Sequence, residues 1–258
     1  MKQPSRKTPD NLGRVGEEKG VQMAVNVDIK ALFEAGVHFG HKTSSWSPKM
    51  AKYIHSKRQD SHIINLEKTD EGLELALPFL TKVAAGGKQV LFVGTKKHTK
   101  DIIKQAAVAI NQPYVTERWL GGMLTNTTTT NQQIKKLKDL EKRMASGDLE
   151  KRYSKLEVQR FQEEIDELNT KYGGIKDLSK LGAVFIIDVI GDMNAVKEAN
   201  VLGIPVVAVV DTNADPSLID YVIPGNDDAI KGVQLLLDYI SAAIAEGAGT
   251  VKKVEAKE

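Results

Sequence analysis

The sequence predicts an α/β fold: a doubly wound parallel sheet with helices on both faces and a protruding antiparallel helical hairpin. Short apolar, β-branched runs of strand length alternate along the chain with stretches of helical periodicity. Continuous apolar strands separated by helices are typical of a parallel sheet that is covered on both faces. Residues 131–172 interrupt this alternation with two successive heptad-like patterns, which predict two helices packed along a narrow seam.

The elements of the sheet domain follow one another in a regular order. Asp28 is placed to cap a short helix, Ile29–Ala35, which Gly36 ends. A strand at His62–Leu66 precedes a helix that opens at Thr69 and Asp70, runs through Ala84 and stops at the following glycine pair. The other elements are strand Gln89–Val93, helix Thr99–Ile110, strands Pro113–Thr116 and Ala183–Ile187, helix 192–202, strands Pro205–Val210 and Tyr221–Ile223, and helix 227–245.

In the interrupting stretch, apolar residues recur at steps of three and four, which aligns them on one face of each helix. Gly147-Asp148 separates the two runs, and Ser154 followed by Glu157 forms a capping-box pattern before the second. A surface dense in Lys and Glu surrounds the seam, which favours a projecting coiled-coil hairpin over two ordinary layer helices. The seam residues are Ile134, Leu137, Leu140, Met144, Val158, Phe161, Ile165, Leu168 and Tyr172.

These patterns divide the chain into a sheet domain, an insertion and two tails. Residues 25–130 and 173–246 are predicted to form the three-layer α/β domain, and residues 131–172 the helical hairpin. Residues 1–24 are predicted to be disordered, because glycines and prolines punctuate a polar stretch without apolar periodicity. Residues 247–258 are predicted to be a disordered tail of the same kind. Met23 is a plausible true start, so we interpret residues 1–22 as an extension or a start-codon miscall.

Composition excludes several classes of protein. The sequence contains no cysteine, which rules out disulfides, zinc sites of the cysteine type and thiol catalysis. The longest apolar runs, such as Ala183–Ile187 and Ile204–Val210, are of strand length and too short to span a membrane. The N-terminus lacks the apolar core of a signal peptide. We therefore expect a soluble cytoplasmic protein without a membrane partner.

The net charge of +2 conceals two halves of opposite sign. Residues Val25–Ala145 hold 19 Lys and Arg against 11 Asp and Glu, a net charge of +8. Residues Ser146–Glu246 hold 9 against 18, a net charge of −9. Such segregation is typical of a chain that presents one side to a polyanion, although accidental segregation on a solvated surface would look the same.

The segment Lys42–Arg58 is the strongest candidate for binding a nucleic acid. It contains five Lys and Arg and no Asp or Glu, with aromatic and histidine side chains interleaved. Cations at this density suit a phosphate backbone, and aromatic rings stack on bases or ribose. The alternative is a solvated loop with Trp46 and Tyr53 tucked into the core. The candidate residues are His41, Lys42, Trp46, Lys49, Lys52, Lys57 and Arg58, extended by Lys96, Lys97 and Arg118.

Two further segments join a strand to a helix. Val93–Lys97 has neither of the glycine patterns that mark nucleotide-binding loops, yet its two lysines and the following helix could hold a phosphate. In Glu117–Asn126, paired glycines permit close backbone approach and Arg118 could contact a phosphate. The alternative for this second segment is a tight connection with Trp119 packed beneath it.

A metal site is a weaker hypothesis. His38 and His41 lie three residues apart, in a segment whose glycines Gly36 and Gly40 indicate a loop. Asp188 and Asp211 each end a predicted parallel strand, and such ends converge where doubly wound sheets bind ligands. A histidine and these two aspartates could therefore meet around a divalent ion. Capping and turn-making carboxylates beside a packed histidine are the favoured interpretation.

Taken together, these residues resemble one family closely, the bacterial ribosomal protein S-two family of the small subunit. The resemblance covers roughly residues 25–245 in unbroken order, and long strings such as Arg118–Asn126 make it specific. Ile190–Asn194 departs from it, because the family commonly shows more acidic and histidine residues there, which weakens the metal hypothesis. The matching strings are Leu32–Lys42, Trp46–Met50, His62–Thr69, Leu91–Lys96, Pro113–Asn126, Gly173–Asp177, Ala195–Asp215 and Tyr221–Ile230.

The resemblance implies a flavodoxin-like sheet with a protruding hairpin, no catalytic activity, no cofactor and no small-molecule substrate. Proteins like this lie near the head–body junction of the small subunit and contact its ribosomal RNA. They also help to dock ribosomal protein S-one for translation, among neighbouring small-subunit proteins. We expect the same of this chain, in the cytoplasmic ribosome. Two alternatives remain: an enzyme that binds a nucleotide or sugar phosphate in the sheet crevice, and a protein adaptor whose hairpin is the docking rod.

Overall fold

The computed structural model describes residues 27–255, with side chains as far as residue 249. The predicted tail 1–24 and the proposed start at Met23 lie outside the described residues. The strands are β1 (Phe39–Lys42), β2 (Ile54–Arg58), β3 (Ser61–Ile64), β4 (Gln89–Val93), β5 (Tyr114–Val115), β6 (Leu181–Ile186), β7 (Val206–Val210) and β8 (Tyr221–Pro224). The helices are α1 (Ile29–Glu34), α2 (Leu66–Ala85), α3 (Lys100–Ala109), α4 (Thr127–Ala145), α5 (Asp148–Arg152), α6 (Lys155–Tyr172), α7 (Met193–Val201) and α8 (Ile230–Glu255).

Strands β4 to β8 form the predicted parallel sheet, in the order β5-β4-β6-β7-β8. Numbered within the sheet, this is the 2-1-3-4-5 order of flavodoxin-like folds. The order reverses between β4 and β6, which is the position where such sheets bind ligands. The predicted fold class is therefore confirmed, and the carboxyl ends of β4 and β6 are the natural place to look for a site.

Apolar side chains fill both faces of the sheet, as the continuous apolar runs predicted. One face packs on α2, α3 and α8, and the Phe92 and Phe185 rings meet edge to face there with centroids 5.4 Å apart. The other face carries Leu91, Val184 and Ile186, and it packs against α7 and the segment around Trp119. Each fully buried side chain of this size stabilises the fold by about 2 kcal/mol. The two apolar layers hold the strand ends in fixed register.

Strands β1, β2 and β3 form a separate antiparallel sheet in the order β1-β3-β2, which the sequence did not predict. The predicted strand His62–Leu66 corresponds to β3, so it belongs to this sheet and not to the parallel one. The segment around Gly40 was expected to be a loop and is strand β1. Gln59 and Asp60 turn the chain between β2 and β3 with φ of 45° and 61°. A two-residue turn with positive φ usually carries Asn or Gly, so this hairpin has a weak sequence signal.

Helix α2 begins at Leu66, three residues before the predicted start. The Asn65 side chain caps it by accepting a hydrogen bond from the Glu67 N–H at 2.9 Å. Thr69 lies inside the helix, fully buried, and its hydroxyl donates to the Pro224 carbonyl at 2.6 Å. The predicted start was wrong because a threonine at this position looks like a helix cap in the sequence. In the fold, Thr69 lies inside the helix and makes a tertiary contact. At the other end of the chain, α8 runs through Glu255, past residue 247 where the tail was expected.

Helices α4 and α6 pack against each other over the predicted seam. Leu137, Leu140, Ile165 and Leu168 form a third apolar cluster, flanked by Met144, Phe161 and Tyr172. The capping box at Ser154 and Glu157 is confirmed. The connection is longer than a turn, because α5 lies between the helices. The coiled-coil geometry and the division of the chain into domains stay predictions. Within the described residues, no helix is both long enough and apolar enough to cross a membrane.

Candidate nucleic-acid interface and the carboxylate cluster beside it

Three aspartates surround the ammonium group of Lys96 at the carboxyl edge of the parallel sheet, and a fourth, Asp211, is linked to them through His41. Lys96 follows β4, and its Nζ lies 2.7 Å from Asp227, 2.8 Å from Asp228 and 3.8 Å from Asp188. Burial opposes the charge on this lysine, yet the hydrogen bonds to Asp227 and Asp228 raise the pKa of Lys96. Lys96 is therefore a fixed cation inside the cluster. We call Lys96, His41, Asp188, Asp211, Asp227 and Asp228 the carboxylate cluster.

His41 joins the antiparallel sheet to this cluster. Its Nδ1 lies 3.2 Å from Asp211 and its Nε2 lies 3.5 Å from Asp228. The hydrogen bond to Asp211 raises the pKa of His41, which favours the charged imidazolium. The His41 backbone N–H donates to the Thr212 hydroxyl at 2.9 Å. Gly40 is required beside it, because a Cβ at that position would lie 2.6 Å from the Thr212 methyl carbon.

Two buried carboxyl groups near Lys96 have raised pKa values. Burial raises the pKa of Asp227 to about 6 and that of Asp192 to about 6. The Asp192 carboxylate accepts hydrogen bonds from the backbone N–H of Thr95 at 3.1 Å and from its hydroxyl at 3.0 Å. Asp192 therefore fixes the turn that follows β4 and aims Lys96 at the cluster.

The metal hypothesis named a histidine with Asp188 and Asp211, but another set has the better geometry. His41, Asp227 and Asp228 each offer a ligand atom, all within 4.8 Å of one another. Asp188 instead makes its own turn, accepting from the backbone N–H groups of Ile190 and Gly191. His38 stacks on the Phe33 ring at 4.3 Å. A divalent cation would have to compete with Lys96 for the same carboxylates.

Lys42 and Arg58 lie on the same face of the antiparallel sheet. Lys42 on β1 and Arg58 on β2 are both paired with Ser61 of the central strand β3. Directly opposed residues of antiparallel strands point to the same face, so the two cations stand roughly 10 Å apart across three strands. Both side chains are exposed, whereas Lys57 is paired with His62 and points to the other face.

The aromatic side chains of the basic segment are partly packed. The Trp46 ring lies 5.0 Å from the His62 ring and stays 37% exposed. Lys52 lies over the Tyr53 ring, with Nζ 4.7 Å from the ring centre. Lys49 forms an exposed ion pair with Asp215 at 2.8 Å. The structure is therefore intermediate between the two alternatives: the rings are anchored, but the cations remain at the surface.

The predicted candidate residues do not form one continuous site. Lys49 and Lys52 lie in a cleft beside Tyr221, at the β8 edge of the sheet. Arg118 follows β5 at the opposite edge, roughly 19 Å away, since four strand spacings of about 4.8 Å separate the edges. Lys97 is exposed, whereas Lys96 and His41 are engaged by carboxylates.

Sequence reasoning missed three residues that shape these sites. Asp227 and Asp228 were noted only within the matching string Tyr221–Ile230, although two adjacent aspartates after a parallel strand are a usable signal. Glu198 was not singled out, yet its buried carboxylate accepts hydrogen bonds from Trp119 and from the residues that follow it. The available signal was a glutamate on the otherwise apolar face of α7, which is weak by itself.

Comparison with known proteins identifies the family. The sequence profile described as Ribosomal protein S2 matches residues 32–247. The chain belongs to the ribosomal protein S2 family. It is 46% identical over 230 residues to the small ribosomal subunit protein uS2 of Fusobacterium nucleatum, covering 89% of this chain and 93% of that protein. It is 48% identical to the uS2 proteins of a Roseiflexus species, over 89% and 88% of the two chains, and of Chloroflexus aggregans, over 86% and 93%.

Membership confirms the resemblance to the S-two family and defines the general role. The chain is a structural constituent of the small ribosomal subunit, takes part in translation and is located at the cytoplasmic ribosome. The ribosomal protein S2 family is structural, so this chain is not an enzyme and the enzyme alternative is excluded. The carboxylate cluster at the ligand-binding edge of the sheet is therefore interpreted as a structural junction.

Proposed function

We propose that the chain binds small-subunit ribosomal RNA through an exposed basic surface centred on the antiparallel sheet. The observation that carries this proposal is the pairing of Lys42 and Arg58 with the same residue, Ser61, which aligns two cations on one face. No Asp or Glu occurs between them in sequence. We call the proposed contacts around this sheet the RNA face; they are Lys42, Trp46, Lys49, Lys52 and Arg58. Lys57 points to the other face of the antiparallel sheet and Arg118 lies at the opposite edge of the parallel sheet, so these two and Lys97 are separate candidates outside the RNA face.

We remove His41 and Lys96 from the predicted RNA-binding residues, because carboxylates of the same chain already compensate their charges. Lys96 is only 20% exposed and is held by carboxylates at 2.7 and 2.8 Å. A phosphate would have to displace those partners and would face Asp188 as well. Lys49 is different, because its pair with Asp215 is solvent-exposed and contributes at most about 1 kcal/mol. An RNA phosphate can replace such a partner at little cost.

We propose recognition by shape and backbone charge. The face offers flexible cations and two anchored rings, Trp46 and Tyr53, with few fixed groups that could read base edges. Folded ribosomal RNA presents phosphates and ribose hydroxyls in fixed geometry, which suits such a surface. Each neutralised phosphate releases counterions, so binding should weaken steeply with salt.

We extend the proposal to position and partners. The family resemblance supports a place near the head–body junction, among other small-subunit proteins, and a part in docking ribosomal protein S-one. The acidic second half, with a net charge of −9 over Ser146–Glu246, supports a role in binding protein partners, while the basic first half binds RNA. A surface of that sign is repelled by RNA and suits a protein partner with basic contacts.

Sedimentation of small subunits tests the proposal. The variant Lys42→Glu/Arg58→Glu should be lost from small-subunit fractions at a salt concentration where the wild-type chain stays bound. The control variant Lys82→Glu/Lys88→Glu makes the same change of net charge at exposed sites at the end of α2 and just before β4. It should sediment as the wild type does. Equal retention of both variants would contradict the RNA face, and retention that survives RNase treatment would favour the protein adaptor.

A further inference from the structure

The buried carboxylate of Glu198 organises a loop that is distant in sequence. Glu198 lies on α7 with 9% of its surface exposed. Its Oε1 accepts from the Trp119 indole N–H at 2.9 Å and from the Gly122 N–H at 2.8 Å. Its Oε2 accepts from the Leu124 N–H at 3.0 Å, and from the N–H and hydroxyl of Thr125, both at 3.1 Å. All five donors belong to one loop, between β5 and α4.

This loop depends on Glu198 for its shape. Residues 116–126 contain no strand or helix, so their backbone N–H groups lack the partners that regular structure would supply. Trp119, Met123 and Leu124 anchor the loop from below, packed in the apolar layer that covers the sheet. The single carboxylate satisfies three backbone N–H groups at once, and without it these donors would be left unpaired or the loop would rearrange.

The outer side of the same loop is exposed and carries no acidic side chain between Arg118 and Asn126. Arg118, Gly121, Thr125 and Asn126 are all exposed. Gly122 has φ of +85°, a backbone conformation that favours glycine, so the fold explains why this residue is a glycine. Gly121 has no such reason: its φ is not positive, and a Cβ built there would meet nothing within 4 Å. Nothing within the described chain requires residue 121 to be a glycine.

We infer that Glu198 is a positioning residue for RNA binding, which holds the loop so that the Gly121 backbone and Arg118 contact an RNA phosphodiester backbone. This inference rests on the proposed RNA-binding function and adds a second contact, at the β5 edge of the sheet. The missing side chain at Gly121 lets a sugar–phosphate backbone approach the peptide closely. Arg118 then supplies two parallel donors to a phosphate. Rigidity matters, because a loop fixed before binding loses less entropy when the RNA docks.

Substitution of Gly121 separates binding from folding. Gly121→Gln places a side chain in open space, so the melting temperature should stay at the wild-type value. Affinity for a small-subunit ribosomal RNA transcript should fall about tenfold, the size of one lost charge-assisted contact. The matched control is Gly249→Gln, because a Cβ at Gly249 also meets nothing within 4 Å. The control should bind as the wild type does, and equal affinity of the two variants would overturn the inference.

A double-mutant cycle tests the positioning role of Glu198. Arg118→Ala and Glu198→Gln are compared singly and together for RNA affinity, at a temperature where every variant is folded. If Glu198 acts by positioning Arg118, the double variant should lose much less affinity than the product of the two single losses. Independent, multiplying losses would show that Glu198 does not act through Arg118, and unchanged affinity of Glu198→Gln would show that it serves stability alone. The conservative variant Arg118→Lys should recover only part of the affinity, since lysine lacks the planar fork.

The outcomes also separate this inference from the function on which it rests. If Lys42→Glu/Arg58→Glu abolishes binding of the transcript and Gly121→Gln does not weaken it, the RNA face stands and the loop contact is wrong. If neither variant changes affinity, the proposed function itself is wrong.

Discussion

The Lys96 ammonium lies 2.7 Å from the buried carboxylate of Asp227, and this pair joins the turn after β4 to the segment after β8. Both segments lie at the carboxyl edge of the parallel sheet, but β6 and β7 separate the two strands, and the two residues are 131 positions apart in the chain. Breaking a buried pair leaves an uncompensated charge, which is far more costly than losing a surface pair. We expect Lys96→Met to lower the free energy of unfolding by about 3 kcal/mol.

Urea denaturation at pH 7.5 measures this effect. Lys97→Met is the control, because Lys97 is the adjacent, exposed lysine and should change stability by no more than about 0.5 kcal/mol. Equal stability of Lys96→Met and the wild type would show that the cluster is held together without the lysine.

The raised pKa of Asp192 predicts an unusual pH dependence. Burial raises the pKa of Asp192 from 3.8 to about 6, so between these values the folded chain binds a proton that the unfolded chain releases. The wild-type chain therefore loses stability through this group as the pH rises from about 4 to above 6. Asp192→Asn lacks the titration, so its stability relative to the wild type should increase over that range, by up to about 3 kcal/mol.

Denaturation of both proteins at pH 4 and pH 7.5 provides the comparison. Only the difference between the proteins is interpreted, since other groups titrate equally in both. A difference that stays constant between the two pH values would mean that Asp192 does not titrate in this window.

The contribution of Glu198 to stability should change with pH in the direction opposite to that of Asp192. Burial opposes its ionisation, but hydrogen bonds from Trp119, Gly122, Thr125 and Leu124 outweigh burial and hold the pKa of Glu198 below its usual value. Its stabilising contribution is therefore present above the unfolded pKa near 4.5 and is lost as the pH falls through the lower folded value. At pH 7, Glu198→Gln should lower the free energy of unfolding by about 3 kcal/mol, because an amide N–H₂ would face N–H donors.

Trp119→Phe is the graded comparison for Glu198. It removes one donor and keeps most of the packing, so about 1 kcal/mol should be lost. If Trp119→Phe destabilises the chain as much as Glu198→Gln does, packing of the indole ring rather than the carboxylate holds the loop.

The RNA face predicts a defined salt dependence. The logarithm of RNA affinity should fall linearly with the logarithm of salt concentration, by about 0.8 for each phosphate that is neutralised. Lys42→Ala/Arg58→Ala removes two contacts, so the slope should become shallower by about 1.5. Binding of the transcript from 50 to 300 mM KCl measures it, with Lys82→Ala/Lys88→Ala as control. An unchanged slope with weaker binding would mean that the two cations act on the fold rather than on phosphates.

Local sequence signals were sufficient for the parallel sheet and failed for the antiparallel one. Strands such as Val206–Val210 are continuous apolar runs, and burial on both faces leaves no other environment for them. In β2, residues 55–58 are exposed and the sequence is polar, so neither apolar alternation nor turn chemistry marked it. Its position is instead fixed by pairing with the central strand β3, which is anchored by the buried side chains of His62 and Ile64.

In the candidate site, too, the sequence alone identified some residues correctly as exposed cations and misjudged others. Charge counting found Lys42 and Arg58, because a run of cations without acids is visible in one dimension. It also selected Lys96, which the fold surrounds with aspartates from the ends of β6 and β8. Whether a cation is available to RNA depends on which carboxylates the fold brings to it, and that information is not local.

The sequence by itself determined the family, the parallel sheet and the segregation of charge, because these follow from apolar periodicity, specific strings and composition. Only the tertiary structure determined which charged side chains are already paired with opposite charges and which remain accessible to RNA. Lys96 and Asp227, like Glu198 and Trp119, meet across long stretches of chain, and their energies arise from burial that no single segment creates. A charged residue is read from the sequence, but its surroundings set its pKa, its partners and its accessibility.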